Sequence, residues 1–212
     1  MKITKIGHSC MLVQENGARI LIDPGAWSEG KQNALQHLDA ILITHEHPDH
    51  LDPESIKTII KNNPSVKIYT NKGVGKILSE KNIPFELLEN TQTVEVKGVL
   101  IEAVGEKHRM VYPTMPIVDD TGYMIAEKFF YAGDAFHIPA KAVEILAWPA
   151  YTPWATLAET VDYAKQIKPK VIFPVHDAIY KFEGPSHYLT PELLNESEIE
   201  FKILEEGKEY EF

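Results

Sequence analysis

Short segments in which apolar and polar residues alternate open the chain and predict strands joined by hairpins. Residues 2–6, 10–14 and 18–22 have this character, and the Glu-Asn-Gly sequence at 15–17 supplies a turn between the second and third segments. These segments therefore predict an antiparallel meander at the start of the fold.

Strands and helices alternate along the rest of the chain. Asp52 and Pro53 are residue types that favour an N-cap and a first helical position, so they predict that a helix begins here and covers 53–62. The other predicted elements are strands at 40–43, 66–70, 93–96, 99–104, 122–126, 129–132, 143–147, 170–175 and 200–204, helices at 73–81 and 155–167, and a short helix opened by Thr190-Pro191-Glu192. This order is typical of a mixed α/β fold.

Length and composition favour one globular unit. A chain of 212 residues has enough apolar surface for one core, so a single domain over 1–212 is expected. Hydrophobic residues make up 44% and charged residues 25%, which gives no indication of a membrane protein. The first six residues alternate and lack the continuous apolar stretch of a secretion signal, so a cytoplasmic location is expected. The single cysteine, Cys10, is expected to be a small buried apolar residue.

The charge balance bears on the class of partner. A net charge of -10 argues against nucleic acid, because nucleic-acid binding gains affinity from clustered lysines and arginines that release counterions. The expected partner is a small-molecule substrate, with neither nucleic acid nor membrane involved. The sequence does not indicate an oligomeric state.

The highest concentration of potential metal ligands lies at 44–50, directly after the apolar run at 40–43. This segment includes three histidines and an aspartate. Buried imidazoles and carboxylates each need a partner, and a divalent cation supplies one for all of them together. The alternative is a surface loop that happens to be rich in histidine and aspartate. The position of the cluster behind a buried strand favours the metal.

The spacing indicates which of these side chains face the ion. Residues two apart in an extended chain point to the same side, so His45 and His47 can bind one cation while Glu46 points away. Pro48 then bends the chain, and Asp49 and His50 are presented from the turn before the helix. Both pairs of donors can therefore lie side by side.

This segment resembles the His-x-His-x-Asp-His signature of the metallo-β-lactamase superfamily. The partners of the signature have candidates in the expected order along the chain: Asp23 after an early strand, His108 after a middle strand, Asp134 in a Gly-Asp pair, and His176 after a late strand. The strings at 6–10, 131–134 and 169–176 are similar to a compact branch that includes the L-ascorbate-6-phosphate lactonase-like hydrolases. The resemblance implies a four-layer αββα sandwich.

The resemblance also implies roles for these residues. Two divalent metal ions are implied, most readily Zn²⁺, although the donors also suit Mn²⁺ or Fe²⁺. Asp49 and Asp134 are the residues expected in catalysis, and Asp23 is expected to orient a ligand from behind. The expected ligands are His45, His47 and His108 for one ion, Asp49, His50 and His176 for the other, and Asp134 as the bridge between them.

Several of these residues have a plainer interpretation when taken singly. His108 on its own is an ordinary exposed histidine at a strand end, and Gly133-Asp134 can be a simple turn. His176 can be a structural histidine, in which case Asp177 is the substitute. Residue 135 is alanine where related hydrolases commonly carry threonine, which removes a hydroxyl near the expected bridge.

The substrate pocket is less defined by the sequence. The irregular segments 111–120 and 147–154, both with prolines and aromatic residues, are each as consistent with packing as with a pocket wall. His8 is expected behind the metals or against substrate, and Arg109 and Tyr112 are further candidates for substrate contact. His137 and His187 are weaker candidates.

Together these features predict a metal-dependent hydrolase in which a hydroxide bound to two metals attacks a small ester, lactone or phosphate-bearing substrate. One alternative is a di-iron redox protein, but such proteins resemble a His-x-Glu pattern where this chain has His47, and no flavodoxin-like domain is attached. A second alternative is a non-catalytic metal-binding module, which is favoured when ligands are missing. Here each expected ligand has a candidate.

Overall fold

Two β-sheets face each other at the centre of the molecule. The computed structural model describes residues 1–180 and 182–212, and within them each sheet has seven strands. The strands of the first sheet are β1 (Lys2–Lys5), β2 (Met11–Glu15), β3 (Ala18–Ile22), β4 (Ala40–Ile43), β5 (Lys67–Thr70), β6 (Glu86–Leu87) and β14 (Glu209–Glu211). Those of the second sheet are β7 (Thr93–Val96), β8 (Val99–Val104), β9 (Gly122–Ile125), β10 (Phe129–Tyr131), β11 (Ile145–Pro149), β12 (Val171–Val175) and β13 (Glu200–Phe201).

Each sheet begins as an antiparallel meander and continues in parallel. The order in the first sheet is β14-β1-β2-β3-β4-β5-β6, antiparallel from β14 to β3 and parallel from β3 to β6. The second sheet has the order β13-β12-β11-β10-β9-β8-β7, antiparallel from β7 to β10 and parallel from β10 to β13. The predicted meander at the start of the chain is therefore present.

Helices cover the outer faces of both sheets. The longer ones are α1 (Pro53–Asn62), α2 (Lys72–Glu80) and α3 (Leu157–Ile167), and two single-turn helices follow, α4 (Pro185–Tyr188) and α5 (Thr190–Leu193). As predicted, α1 begins after Asp52, whose side chain accepts a hydrogen bond from the backbone N–H of Glu54. The apolar faces of these helices bury the outer surfaces of the sheets.

Three apolar clusters confirm the predicted αββα arrangement. One fills the space between the sheets and includes Ile22 and Leu42 from the first sheet and Phe129 and Phe173 from the second. Another packs α1 and α2 on the first sheet, and the third packs α3 on the second sheet. Among the described residues, no helix has the length and apolar character needed to span a bilayer.

The main departures from the predicted elements are shifted strand ends and short elements that were not predicted. A strand was expected at 143–147, but β11 runs two residues further because it keeps its parallel pairing with β12 through Pro149 and Val175. Trp148 therefore belongs to a strand and not to a loop, and its buried indole donates to the Thr160 carbonyl over 2.8 Å. The strand expected at 200–204 ends at Phe201, and β6, β14 and α4 were not predicted.

Candidate metal centre

The ends of several strands meet at one edge of the sandwich and carry the polar side chains of the centre. Asp23 directly follows β3, His176 directly follows β12, and the segment with His45 follows β4. Asp134 comes three residues after β10, and His108 four residues after β8. The predicted site residues are thus collected from both sheets, as expected for a site formed by loops on a rigid scaffold.

The histidines and carboxylates gather into three overlapping groups, each with its donor atoms within 4.8 Å of one another. The predicted first set, His45, His47 and His108, forms one group. The predicted second set is divided, because Asp49 and His176 group with His8 while His50 groups with His45 and Asp134. The groups are His45, His47 and His108; His8, Asp49 and His176; and His45, His50 and Asp134.

Several buried donor atoms at this point have no hydrogen-bonding partner within the described residues. They include Nε2 of His45, His50 and His108 and Oδ1 of Asp134. A buried polar atom without a partner costs free energy, and four of them facing one small volume is unusual in a folded protein. Imidazole nitrogens and carboxylate oxygens are also the donors that zinc, manganese and iron accept. The residues present therefore fit divalent metal ions.

The Asp23 carboxylate accepts a hydrogen bond from the His50 ring nitrogen that points away from the centre. Its Oδ2 lies 2.7 Å from His50 Nδ1, and its Oδ1 accepts the backbone N–H of Thr44 over 2.8 Å. Because an ionised carboxylate only accepts hydrogen bonds, Nδ1 of His50 carries the proton and Nε2 is free to face the centre. Burial opposes protonation of His50, but the carboxylates of Asp134 and Asp23 outweigh it and raise the pKa of this imidazole well above its ordinary value, so a metal that binds at Nε2 has to displace a proton there.

Asp120, which the sequence analysis did not single out, has the corresponding position behind His45. Its Oδ2 lies 3.1 Å from His45 Nδ1 and accepts the backbone N–H of Asp134 over 2.9 Å. Burial opposes ionisation of Asp120, but the adjacent imidazoles of His137 and His45 outweigh it and lower the pKa of this carboxyl to about 2. The weak candidate His137 therefore lies beside Asp120, with its Nε2 3.4 Å from Oδ1.

Gly133 allows this arrangement because a side chain there would strike Asp120. Its φ is +68°, and a Cβ at this position would lie 2.6 Å from Asp120 Oδ1. Any residue other than glycine would also be strained at such a φ. The Gly-Asp pair is thus a turn, as in the plainer interpretation, and the same turn delivers the Asp134 carboxylate to the centre.

Asp134 has the central position. Its Oδ1 lies 3.1 Å from His176 Nε2 and 3.4 Å from His50 Nε2, while Oδ2 lies 3.4 Å from His108 Nε2. Trp154 Nε1 donates to the same Oδ2 over 2.8 Å. The indole thus supplies a hydrogen-bond donor beside Asp134, although residue 135 is alanine and lacks the hydroxyl that related hydrolases commonly carry there. Burial opposes ionisation, but His176 and His50 outweigh it and hold the pKa of Asp134 well below its ordinary value.

Two of the imidazoles are held neutral, which is the state that binds metal. Burial lowers the pKa of His47 to about 4, and the neighbouring His45 and His108 act in the same direction. Burial also lowers the pKa of His176 to about 3. The backbone of His176 is left-handed, with a φ of +65°, and its N–H donates to the His8 carbonyl over 3.0 Å. These contacts fix the imidazole at the end of β12.

His8 lies closer to the centre than a position behind the ligands would require. Its Nε2 is 3.5 Å from Asp49 Oδ2, and its ring centroid is 5.1 Å from that of His176 and 4.7 Å from that of Trp27. The imidazole is buried, and its Nδ1 has no partner among the described residues. His8 can therefore contact both an ion held by Asp49 and a molecule bound beside Trp27.

The loop after β3 packs directly on the loop that carries Asp49. A Cβ on Gly25 would overlap the carbonyl group of Asp49, so only glycine permits this approach. The next residue, Ala26, donates its N–H to the Pro48 carbonyl over 2.7 Å. The contact brings Trp27, which the sequence did not single out, to the edge of the centre.

A cavity of about 360 Å³ opens over these groups. Parts of both segments proposed as pocket walls, 111–120 and 147–154, contribute to it, but the buried Trp148 does not. The lining residues are His8, Trp27, His47, Asp49, His108, Val111, Met115, Asp134, Tyr151, Pro153, Trp154, His176 and Ile179. A volume of this size suits a small molecule.

Other candidates lie away from the cavity. The Arg109 guanidinium pairs with Glu159 of α3 over 3.0 Å and covers the ring of Phe136, and the Tyr112 side chain is 61% exposed. Neither residue lines the cavity as described. His187 binds Asp177 over 3.1 Å, and Glu46 lies beside Gly73 of α2, which agrees with its predicted direction away from the ligands.

Comparison with known proteins finds similarity along most of the chain. The family model described as "Beta-lactamase superfamily domain" matches residues 2–176. Protein Rv0786c of Mycobacterium tuberculosis is 33% identical over 184 residues, which cover 84% of this chain and 85% of that protein. UPF0173 metal-dependent hydrolase MJ1163 of Methanocaldococcus jannaschii is 28% identical over 139 residues, or 62% of this chain and 60% of that protein. A crystal structure of a protein from Parabacteroides distasonis has a TM-score of 0.78 and 26% identity, with 96% of this chain and 92% of that chain covered.

Proposed function

Because this chain belongs to the beta-lactamase superfamily and has the metallo-β-lactamase fold, we propose that it is a metal-dependent hydrolase that uses a dinuclear metal centre. Its substrate is a small ester, lactone or phosphate-bearing molecule. A relative of similar sequence is itself named a metal-dependent hydrolase, which supports the class. A cytoplasmic location stays a prediction.

The observation that carries the proposal is the set of buried donor atoms without partners. Nε2 of His45, His50 and His108 and Oδ1 of Asp134 face one another, while Asp23 and Asp120 hold two of the imidazoles by their other nitrogens. A carboxylate behind a histidine is the usual arrangement around a metal, because it fixes the tautomer and the direction of the ring. A buried polar cluster without such a purpose would pair its atoms internally.

We assign His45, His47 and His108 to one ion and Asp49, His50 and His176 to the other, with Asp134 between them. His8 is a further donor on the side of Asp49 and His176. Zinc suits this set, and manganese or iron are alternatives. When bound, such ions lower the pKa of water toward neutrality and stabilise the negative charge that develops during hydrolysis.

The residues of the chain then have separate tasks. Asp134 keeps its negative charge at neutral pH and lies between both sets of histidines. Asp23 and Asp120 orient His50 and His45, and Trp154 restrains the Asp134 carboxylate through its indole N–H. The walls of the cavity restrict the access of bulk water and hold the substrate over the centre.

Metal analysis together with an activity screen tests the proposal. The purified protein is expected to contain up to two equivalents of metal and to hydrolyse members of a panel of phosphodiesters, lactones, thioesters and β-lactams. His47→Ala is expected to lose metal and at least about a hundredfold in turnover, in line with the loss of a first ligand. His37→Ala, at an exposed histidine outside the centre, is the matched control.

Two outcomes would contradict the proposal. One is protein that binds no transition metal after reconstitution. The other is an Asp134→Ala or His47→Ala variant whose turnover falls tenfold or less. An optical spectrum recorded on the same samples separates a hydrolytic zinc centre from the di-iron redox alternative, which absorbs in the visible range and consumes a reductant.

A further inference from the structure

The walls of the cavity are apolar apart from the side chains assigned to the metal centre. Trp27, Met115, Tyr151 and Ile179 line it, and each of them is between 45% and 50% exposed to solvent. Half-exposed apolar side chains around a concave site lose contact with water when an apolar group covers them. The cavity therefore favours a ligand that brings apolar surface to this wall.

The described lining of the cavity contains neither lysine nor arginine. Both basic residues that flank His108 in the sequence are turned elsewhere: Arg109 pairs with Glu159, and Lys107 pairs with Asp119 over 2.5 Å at a different cavity. Recognition of a phosphate normally relies on charge-assisted hydrogen bonds from such side chains. Away from the proposed ions, a negatively charged group would therefore meet only apolar side chains in the described lining.

Two indoles connect the apolar wall to the metal centre. The Trp27 ring packs on His8 with a centroid distance of 4.7 Å, on the side of Asp49. The Trp154 ring lies 6.1 Å from that of His108 and is fixed by its hydrogen bond to Asp134. An apolar group held against these two rings would lie directly beside the side chains that bind the ions.

From this arrangement we propose that the substrate is an uncharged carboxylic ester or lactone with an apolar group next to the scissile bond. The proposal rests on the hydrolase function proposed above and selects one of its substrate classes. The proposed ions can accept either an ester carbonyl or a phosphate, but the rest of the described lining offers apolar contact and no basic partner, which favours the uncharged substrate. Each methylene that contacts the wall adds about 0.8 kcal/mol, or roughly a fourfold gain in transition-state binding.

The reaction is an ordinary ester hydrolysis. The oxygen of water forms a bond to the acyl carbon, and the bond from that carbon to the alkoxy or phenoxy oxygen breaks with its electron pair. The leaving oxygen takes up one proton, and the products are a carboxylic acid, which ionises, and an alcohol or phenol. Neither an oxidant nor a reductant is required.

A series of p-nitrophenyl substrates tests whether the enzyme prefers uncharged esters to phosphates, because all of them release the same chromophore. The series consists of the acetate, butyrate and hexanoate esters, with p-nitrophenyl phosphate and bis(p-nitrophenyl) phosphate as the charged counterparts. The full-length protein loaded with zinc is expected to show a kcat/KM that rises about threefold or more for each added methylene. Both phosphates are expected to be poorer substrates than the hexanoate.

Introducing a positive charge into the cavity wall should change the relative kcat/KM values of the hexanoate ester and the phosphates. Met115→Lys places an ammonium group among the apolar side chains, and it is expected to lower kcat/KM for the hexanoate about tenfold and to raise it for bis(p-nitrophenyl) phosphate. Met110→Lys is the matched control, since Met110 is 53% exposed against 50% for Met115 but does not line the cavity. Met110→Lys should leave kcat/KM unchanged for both the hexanoate and bis(p-nitrophenyl) phosphate.

A binding measurement keeps the result separate from the hydrolase assignment. N-Phenylhexanamide, an amide that resists hydrolysis, is titrated while the total tryptophan fluorescence is followed, to which Trp27 and Trp154 in the cavity and the buried Trp148 contribute, with phenyl phosphate as the charged probe. Saturable quenching by the amide that Met115→Lys weakens supports an apolar binding wall whether or not turnover is seen. Absence of quenching by the amide, or tighter binding of phenyl phosphate, overturns it.

The kinetic outcomes are equally distinct. Metal-dependent hydrolysis of a phosphate in preference to the esters, abolished by His47→Ala, overturns the ester proposal and leaves the hydrolase function standing. Loss of metal-dependent hydrolysis of every substrate in the panel overturns the hydrolase function itself, and the binding titration alone then decides about the wall.

Discussion

The Nδ1 atom of His50 lies 2.7 Å from Oδ2 of Asp23, and both side chains are fully buried. The pair comes from two loops separated by 27 positions in the sequence, after β3 and after β4. Since Oδ1 of Asp23 also accepts the Thr44 N–H, the carboxylate fixes the backbone and the imidazole of the same loop. The direction of the His50 imidazole is thus determined by the fold, independently of the ion proposed to bind there.

Asp23→Asn is expected to weaken metal binding by roughly tenfold to a hundredfold, because the amide can no longer accept from both Thr44 and His50. The loss should affect the ion assigned to Asp49, His50 and His176. A titration with a chromophoric chelator measures each affinity, and circular dichroism verifies that the variant folds. Unchanged affinity in a folded variant would show that His50 is oriented without Asp23.

Asp120→Asn is expected to have the complementary effect at the other ion. Asp120 orients His45 and accepts the Asp134 N–H, so its loss should weaken the ion assigned to His45, His47 and His108 by a similar factor. Metal titration of the Asp23→Asn and Asp120→Asn proteins side by side makes the comparison. If both variants lose the same ion, the assignment of the two ligand sets is wrong.

Trp154→Phe is expected to lower metal affinity or turnover by roughly tenfold while the protein stays folded. The change removes the indole donor to Asp134 Oδ2 and keeps an aromatic ring in the wall, and hydrogen bonds to charged groups contribute about 1.5–3 kcal/mol. Trp148→Phe is the control. It deletes an indole hydrogen bond to the Thr160 carbonyl away from the cavity, so it should reduce stability and leave metal binding intact.

Lys5→Met is expected to destabilise the protein by up to about 3–5 kcal/mol, because it leaves the largely buried Asp177 carboxylate with only its contact to His187 among the described residues. Lys5 is 3% exposed, forms an ion pair with Asp177 and donates to the Pro174 carbonyl over 3.1 Å. Urea denaturation of metal-loaded protein measures the loss. The double variant Lys5→Met, Asp177→Leu should recover part of it, and a double variant less stable than Lys5→Met would contradict this account.

Much of the centre is predictable from the sequence because its side chains come directly after apolar runs. His45, His47, Asp49 and His50 are close in sequence, and extended geometry alone places the first two on one side. Their partners Asp23, Asp134 and His176 could be located only through the resemblance to a known family. The structure brings all of these residues to one edge of the sandwich.

Asp120 and Trp27 were missed for a physical reason. The partners of Asp120 are His45 and the backbone of Asp134, 75 and 14 positions away, so its role exists only after both sheets have packed. Trp27 reaches the cavity because Gly25 lets two loops touch. Similarly, β6 and β14 have two and three residues and depend on distant strands for pairing, which no local pattern can reveal.

The contact between Gly25 and the backbone of Asp49 makes the apolar wall and the ligand loop mechanically continuous. Ala26 is tied to Pro48, and Trp27 follows it immediately, so a displacement of the indole pulls on the segment that ends in Asp49 and His50. A molecule bound against Trp27 is therefore expected to displace the loop that carries the proposed ligands Asp49 and His50. Substitutions that change substrate selectivity at Trp27 are therefore expected to change metal retention as well, because the loop with Trp27 and the loop with Asp49 are in direct contact.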